Sequence, residues 1–256
     1  MIHALVITGQ NNHDWRRSAP FCKDLLEATG KFKVDLTENP ARTFADASAV
    51  KQYQLFFVDY NGPDWGETAK KNFEAAVAAG TGLFVLHAAN NIKDWPEFEK
   101  MAGLLWREGT GHSAYHEVDV SIVNHDHPVT RGMQDFSLPD ELYHRLVNTQ
   151  NVPYQVLAAA YDNPNIMGTR RRGSGRFEPV MITLEYGRAR VFHYMLGHVW
   201  PTIESPDSGR LASNFHPEQG ASMQTFENAG FQRALVRGCE WAATGDVSDP
   251  LTPVDR

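Results

Sequence analysis

Four short apolar runs, separated by helix-like segments, occupy the first part of the chain: Ile2–Thr8, Lys33–Thr37, Leu55–Tyr60 and Gly82–Leu86. Gly82–Leu86 reads GLFVL. An apolar run that short, bounded by glycine, is a strand buried on both faces, as in a parallel sheet. Between the first two runs, Ser18-Ala-Pro starts a helix, with Ser18 as its cap and Pro20 in its first turn. That helix carries Phe21, Leu25 and Leu26 and stops near Gly30. Glu67–Ala79 forms another, with Phe73, Ala76 and Val77 inward. Strand and helix in strict alternation call for a doubly wound, mainly parallel α/β sheet with right-handed crossovers.

The second half reads differently. Asp94–Met101 is a short helix, and His116–Val123 alternates polar and apolar. Asp140–Leu146 (DELYHRL) is short and strand-like. Tyr154–Tyr161, Pro179–Tyr186 and Arg188–Leu196 are strands, the last two joined through Gly187 as an antiparallel hairpin. Trp200–Met223 has little periodicity; Glu227–Thr244 is an amphipathic helix. No repeat or linker interrupts residues 1–245, which form one domain, and residues 246–256 are a tail. A chain of 256 residues buries roughly 70–75% of its unfolded surface, so it needs no disulfide to fold. Cys22 and Cys239 sit in helical contexts as small buried hydrophobes. A formal charge of −7 argues against nucleic-acid and membrane-surface partners. No apolar run approaches membrane-spanning length, and no basic leader precedes the first strand, so a cytoplasmic location is expected.

Ligands of open α/β sheets bind outside the carboxyl ends of the strands. His13, His87 and His198 each stand just past a predicted strand. Asp-Trp pairs follow three of the strands: Asp14-Trp15, Asp64-Trp65 and Asp94-Trp95. On one rim, carboxylates beside indoles make a sugar-binding surface; alternatively each pair is a turn and anchor, with Asp capping a helix and Trp sealing it. Further histidines are His112 and His116 around a strand entry, His125 and His127 two apart, and His144 beside Glu141. Imidazoles and a carboxylate support either general acid–base chemistry or a divalent metal such as zinc or manganese. No HExxH or CxxC spacing selects the metal. The basic loop Thr169–Arg176 reads as a solvated loop able to hold a phosphate or carboxylate. Ser113 and Ser174 lack the G-x-S-x-G elbow of a nucleophilic serine.

Several blocks resemble the ThuA-like family of trehalose utilisation: His13-Asp14-Trp15 after the first strand, GTGLFVLHAA (Gly80–Ala89), HPVTRGM…DELY (His127–Tyr143), RVFHYMLGH (Arg190–His198) and the closing Phe226–Gly245 helix. The resemblance implies a flavodoxin-like fold related to class I glutamine amidotransferases. In those enzymes the turn after the corresponding strand carries a nucleophilic cysteine; here it reads Leu86-His87-Ala88-Ala89, which disfavours thiol chemistry. The resemblance further implies use of a disaccharide or keto-sugar, with an oxidoreductase as pathway partner; a homo-oligomer is compatible with it. On this reading His87 and Glu141 are acid and base, and His198 positions the substrate. His13, Asp14, Trp15, Asp64, Trp65, Asn90, Trp95 and Tyr143 bind the sugar, and His112 and His127 are the metal candidates. The competing expectation is a non-catalytic sugar-binding protein that kept the cleft of an amidotransferase-like fold.

Overall fold

The structure is a computed structural model describing residues 1–166, 172–202 and 222–248. In chain order the first half is β1 (Ile2–Ile7), α1 (Trp15–Ala28), β2 (Phe32–Thr37), α2 (Pro40–Thr43), β3 (Leu55–Val58), α3 (Glu67–Ala78) and β4 (Gly82–Leu86). A 3₁₀ turn (His87–Asn91) and α4 (Pro96–Ala102) follow. The second half is β5 (Gly111–His112), β6 (His116–Ile122), β7 (Phe136–Asp140), β8 (Tyr143–His144), β9 (Gln155–Tyr161), β10 (Phe177–Tyr186), β11 (Ala189–Tyr194), α5 (Gln224–Glu227) and α6 (Ala229–Thr244).

Among the described residues, nine strands form one sheet in the order β2-β1-β3-β4-β11-β10-β9-β6-β7. From β2 to β11 the neighbours are parallel, the doubly wound arrangement expected from the sequence. From β11 to β7 they are antiparallel. The extension thus contains the expected β10–β11 hairpin and continues through three further strands. β5 and β8 form a separate two-stranded ribbon.

Period-two alternation splits each central strand between two cores. Ala4, Val6, Leu55, Phe57, Phe84 and Leu86 face α1 and α6, which supply Ala19, Cys22, Leu26, Phe231, Leu235 and Cys239. Leu5, Ile7, Phe56, Val58, Leu83 and Val85 face α3 and α4, which supply Phe73, Val77, Phe98 and Met101. Gly82 lets α6 approach β4 closely, since a Cβ there would lie 2.2 Å from the Ala242 carbonyl oxygen.

Some local expectations shift. α1 begins at Trp15 with Asp14 at its N-cap position, so Ser18 lies a turn inside; its hydroxyl donates to Asp59 at 2.6 Å. The helix after β4 starts at Pro96 with Trp95, not Asp94, at the N-cap position. Proline disfavours helical backbone in the residue before it, which sets that start. The DELYHRL segment is not one strand: β7 ends at Asp140 and β8 occupies Tyr143–His144. Part of the Thr169–Arg176 loop, most of Trp200–Met223 and most of the tail lie outside the described residues. The tail's start is pinned, because Ser248 donates from its backbone and hydroxyl to Glu240. Among the described residues no helix is long and apolar enough to cross a membrane.

Candidate active site

β1, β4 and β11 end on the same edge of the sheet and deliver a histidine each. His13 lies in the loop after β1, His87 directly follows β4, and His198 follows β11 through Gly197. His87 has φ +43, in the left-handed region that residues other than glycine rarely adopt. It stands at the turn between β4 and the 3₁₀ segment that follows. Gly197 (φ +137) allows the approach, since a Cβ on it would stand 3.2 Å from the His87 Cβ.

Buried carboxylates aim these loops. Asp59, just past β3, accepts from Asn11 Nδ2 at 2.7 Å and from the Ser18 hydroxyl. Asn11 in turn accepts the backbone N–H of His13 at 3.0 Å. Asp140 Oδ2 accepts the backbone N–H groups of Gly197 (2.8 Å) and His198 (3.3 Å), and its Oδ1 accepts that of Glu141 (2.7 Å). One carboxylate therefore ties the His198 loop to Glu141. Asp162 accepts from the Ser113 hydroxyl and from His144 Nδ1, both at 2.5 Å, and from Ser174 N–H. It clamps the β5–β8 ribbon, which carries His112 and Tyr143. Ser113 is thus a buried strut of the ribbon.

A polar cleft of about 140 Å³ opens at this edge, lined by Asn12, His13, Asn61, Ala88, Asn91, Trp106, His112, Glu141, Tyr143 and Trp200. Glu141 Oε2 lies 3.1 Å from His198 Nδ1 and 3.2 Å from His112 Nδ1. His13 Nε2 lies 3.1 Å from His198 Nδ1. His87 stands behind the wall: its Nδ1 donates to Met195 O at 2.6 Å, so its Nε2 accepts from the Tyr143 hydroxyl at 2.9 Å. A second cleft of about 300 Å³ shares Asn61 and Asn91 with the first and includes Asp64, Trp65, Asp94 and Trp95.

Burial dominates the electrostatics. It lowers His87 to about 3, with His198 adding to the effect, and holds His13 and His112 below the ordinary imidazole range. Burial alone would raise the Glu141 carboxyl, but His198, then His112 and His87, outweigh it and hold it low. Glu141 is therefore the anion of a cleft whose neighbours His13, His87 and His112 are neutral at pH 7. Burial, then Glu141, pushes the Tyr143 phenol well above its usual range. Both cysteines are buried and free, and burial raises their thiols, so neither supplies a thiolate.

The expected site residues divide clearly. His13, His87, His112, Glu141, Tyr143 and His198 come together. Asp64, Trp65 and Trp95 border the adjoining cleft. Asp14 instead pairs with Arg17 at 2.7 Å, and Trp15 faces a separate cleft with Leu36 and Glu38. All three Asp-Trp indoles are buried, as anchors are, while Trp65 and Trp95 also line the adjoining cleft. Asn90 is fully buried, and its side-chain polar atoms have no partner among the described residues; its neighbour Asn91 is the one that lines both clefts. His127 is no companion of His112: it packs on Trp241 of α6 and accepts from Val129 N–H, because the β6–β7 connection runs beside that helix. Asn12, Asn61, Asn91, Trp106 and Trp200 were not anticipated. The only signal for Asn12, Asn61 and Trp200 was membership of GQNN, NGPDW and GH-x-W; Asn91 merely follows Asn90, and Trp106 lies in the glycine-rich aromatic stretch Gly103–Tyr115.

A flavodoxin-like sheet with a histidine- and asparagine-lined cleft at its carboxyl edge defines the class. The chain belongs to the ThuA family, described as trehalose utilisation, whose model matches residues 3–214. A ThuA-like protein from Parabacteroides merdae is 32% identical and superposes with a TM-score of 0.80, covering 98% of this chain and 92% of that one. A ThuA-like protein from Bacteroides uniformis is 20% identical (TM-score 0.70; 96% and 93% covered). A cytoplasmic protein from Salmonella typhimurium is 12% identical (TM-score 0.58; 93% and 98% covered). These last two likenesses speak for the fold alone. A search of curated proteins finds no match.

Proposed function

We propose that the chain is an enzyme of trehalose utilisation that removes a proton next to the carbonyl of a keto-disaccharide, with Glu141 as the base. The observation that carries the reading is the Glu141 carboxylate, held between His112 and His198 on the wall of the polar cleft. A general base must sit within hydrogen-bond reach of the proton it takes, and the cleft brings substrate to it. His112 and Tyr143 also line the cleft; with the His112 Nδ1–H given to Ser113 O and the Tyr143 O–H to His87 Nε2, the free His112 nitrogen and the Tyr143 oxygen are placed to accept from sugar hydroxyls. His87 acts through Tyr143, whose hydroxyl it accepts, in place of direct contact with sugar.

The lining suits a carbohydrate. Asn12, Asn61 and Asn91 offer amides that both donate and accept, matching hydroxyls, and Trp106 and Trp200 offer ring faces. The adjoining cleft, reached across Asn61 and Asn91, supplies a second sugar subsite. A keto-disaccharide substrate requires a partner oxidoreductase to form it.

Glu141→Gln keeps the shape of the side chain and removes the base. Turnover of a 3-keto-disaccharide falls by about 10²–10⁴-fold in that variant, while calorimetric binding of the sugar persists. Unchanged turnover in a folded Glu141→Gln variant would overturn the assignment.

A further inference from the structure

We propose that His13, His87 and His198 hold a divalent transition metal, zinc(II) by the character of the donors, beside Glu141 at the floor of the polar cleft. The inference rests on reading that cleft as the active site. One ring nitrogen of each histidine lies within 4.8 Å of the others, and all three side chains are buried. They arrive from three separate loops, so no local turn forces them together.

Proton bookkeeping shows what the cluster lacks. A neutral imidazole has one N–H and one lone pair. Met195 O takes the Nδ1–H of His87, which leaves its Nε2 as a lone pair. His13 Nδ1 faces Asn11 Oδ1 at 3.4 Å, which leaves its Nε2 as a lone pair. That lone pair faces His198 Nδ1 at 3.1 Å. His198 Nδ1 also faces Glu141 Oε2, while His198 Nε2 is buried with no partner among the described residues. Tyr143 donates to His87 Nε2, a place a metal would take over, and a single proton on His198 Nδ1 has to serve both His13 Nε2 and Glu141 Oε2. Lone pairs converging in a buried space are costly without a shared positive partner.

The spacing fits a metal. Around a tetrahedral zinc with Zn–N near 2.0–2.1 Å, donor atoms stand about 3.3 Å apart. The His13–His198 separation of 3.1 Å is already close to that. Metal-bound imidazoles give their other N–H to a carbonyl or carboxylate, and here Met195 O and Asn11 Oδ1 take that place for His87 and His13. Asn11 is itself fixed by Asp59. Three imidazoles select zinc and its first-row neighbours over magnesium or calcium, which prefer oxygen. His13 and Glu141 line the cleft, so a metal held there would border the space that substrate enters. A cation there would polarise a sugar carbonyl beside the Glu141 base.

The test uses the full chain, purified without a histidine tag or added metal. Elemental analysis is expected to give about one zinc per chain. After chelation, added Zn²⁺ should raise the unfolding temperature, as a ligand bound only by the folded state does. His13→Gln and His198→Gln should lose both the stoichiometric metal and the Zn²⁺-dependent rise, with folding checked by circular dichroism. His125→Gln, exposed on the β6–β7 connection, should keep both. Substoichiometric metal with no rise on adding Zn²⁺, or full metal in His13→Gln and His198→Gln, would overturn the site. The two proposals separate cleanly. Glu141-dependent turnover by a chain that binds no zinc overturns the metal and leaves the enzyme. Stoichiometric zinc in a chain inert toward keto-disaccharides supports the metal and removes the sugar chemistry.

Discussion

Asp59 is fully buried past the end of β3, and burial, partly offset by hydrogen bonds from Ser18 and Asn11, raises its carboxyl to about 6. An unfolded Asp titrates near ~3.9. Between those values the folded chain holds a proton that the unfolded chain has lost. The stability this proton contributes is complete below about pH 4 and disappears as pH rises through about 6. The difference is on the order of 2–3 kcal/mol. Asp59→Asn imitates the protonated form, so urea unfolding of that variant should lack this part of the pH dependence between pH 4 and 7; equal slopes for the two proteins would contradict it. The site histidines and Glu141 were legible because each follows a strand or sits in a conspicuous polar motif. Asp59 and Asp140 were not, although they aim the loops. A single Asp after a strand looks like any turn residue until the fold reveals which N–H groups it gathers. His127 misled in the opposite way: two histidines in HDHP resemble ligands, yet helix α6 covers that connection.

At the scale of elements, Phe73 is the hub that fixes the second cleft. Its ring meets Phe44, Phe56, Trp65, Trp95 and Phe98, with centroids 5.3 to 6.5 Å away. α3 therefore holds the two Asp-Trp loops that border that cleft from beneath. Phe73→Ala should cost about 3–5 kcal/mol in chemical unfolding and weaken disaccharide binding more than monosaccharide binding. A loss below about 1 kcal/mol, or equal weakening of both sugars, would contradict this account. The parallel half was readable because fully apolar runs such as LFFV and GLFVL have few other uses. The β5–β8 ribbon was not, since two-residue strands have no periodicity. It exists because Asp162 ties Ser113 and His144 together across 49 and 18 residues of sequence.

Across the whole molecule, the parallel half supplies His13 and His87 directly. The antiparallel extension supplies Glu141 from the end of β7, and β11, where the halves join, supplies His198. The chemistry thus sits where the sheet changes character, and Asp140 bridges the two halves by bonding the His198 loop. The fold class was visible in the order of strands and helices. The union of Glu141 with three strand-end histidines followed from the family resemblance and not from spacing, because it depends on β7 closing the far edge while its carboxyl end returns to β11. The most direct test of Glu141 as a base is hydrogen exchange into substrate. A 3-keto-disaccharide is incubated with the protein in D₂O, and NMR follows deuterium entering the carbon next to the carbonyl. The wild-type chain should catalyse that exchange, and Glu141→Gln should slow it by about 10²-fold or more. Exchange no faster than in buffer with the wild-type chain, or equal exchange with both proteins, would contradict the assignment.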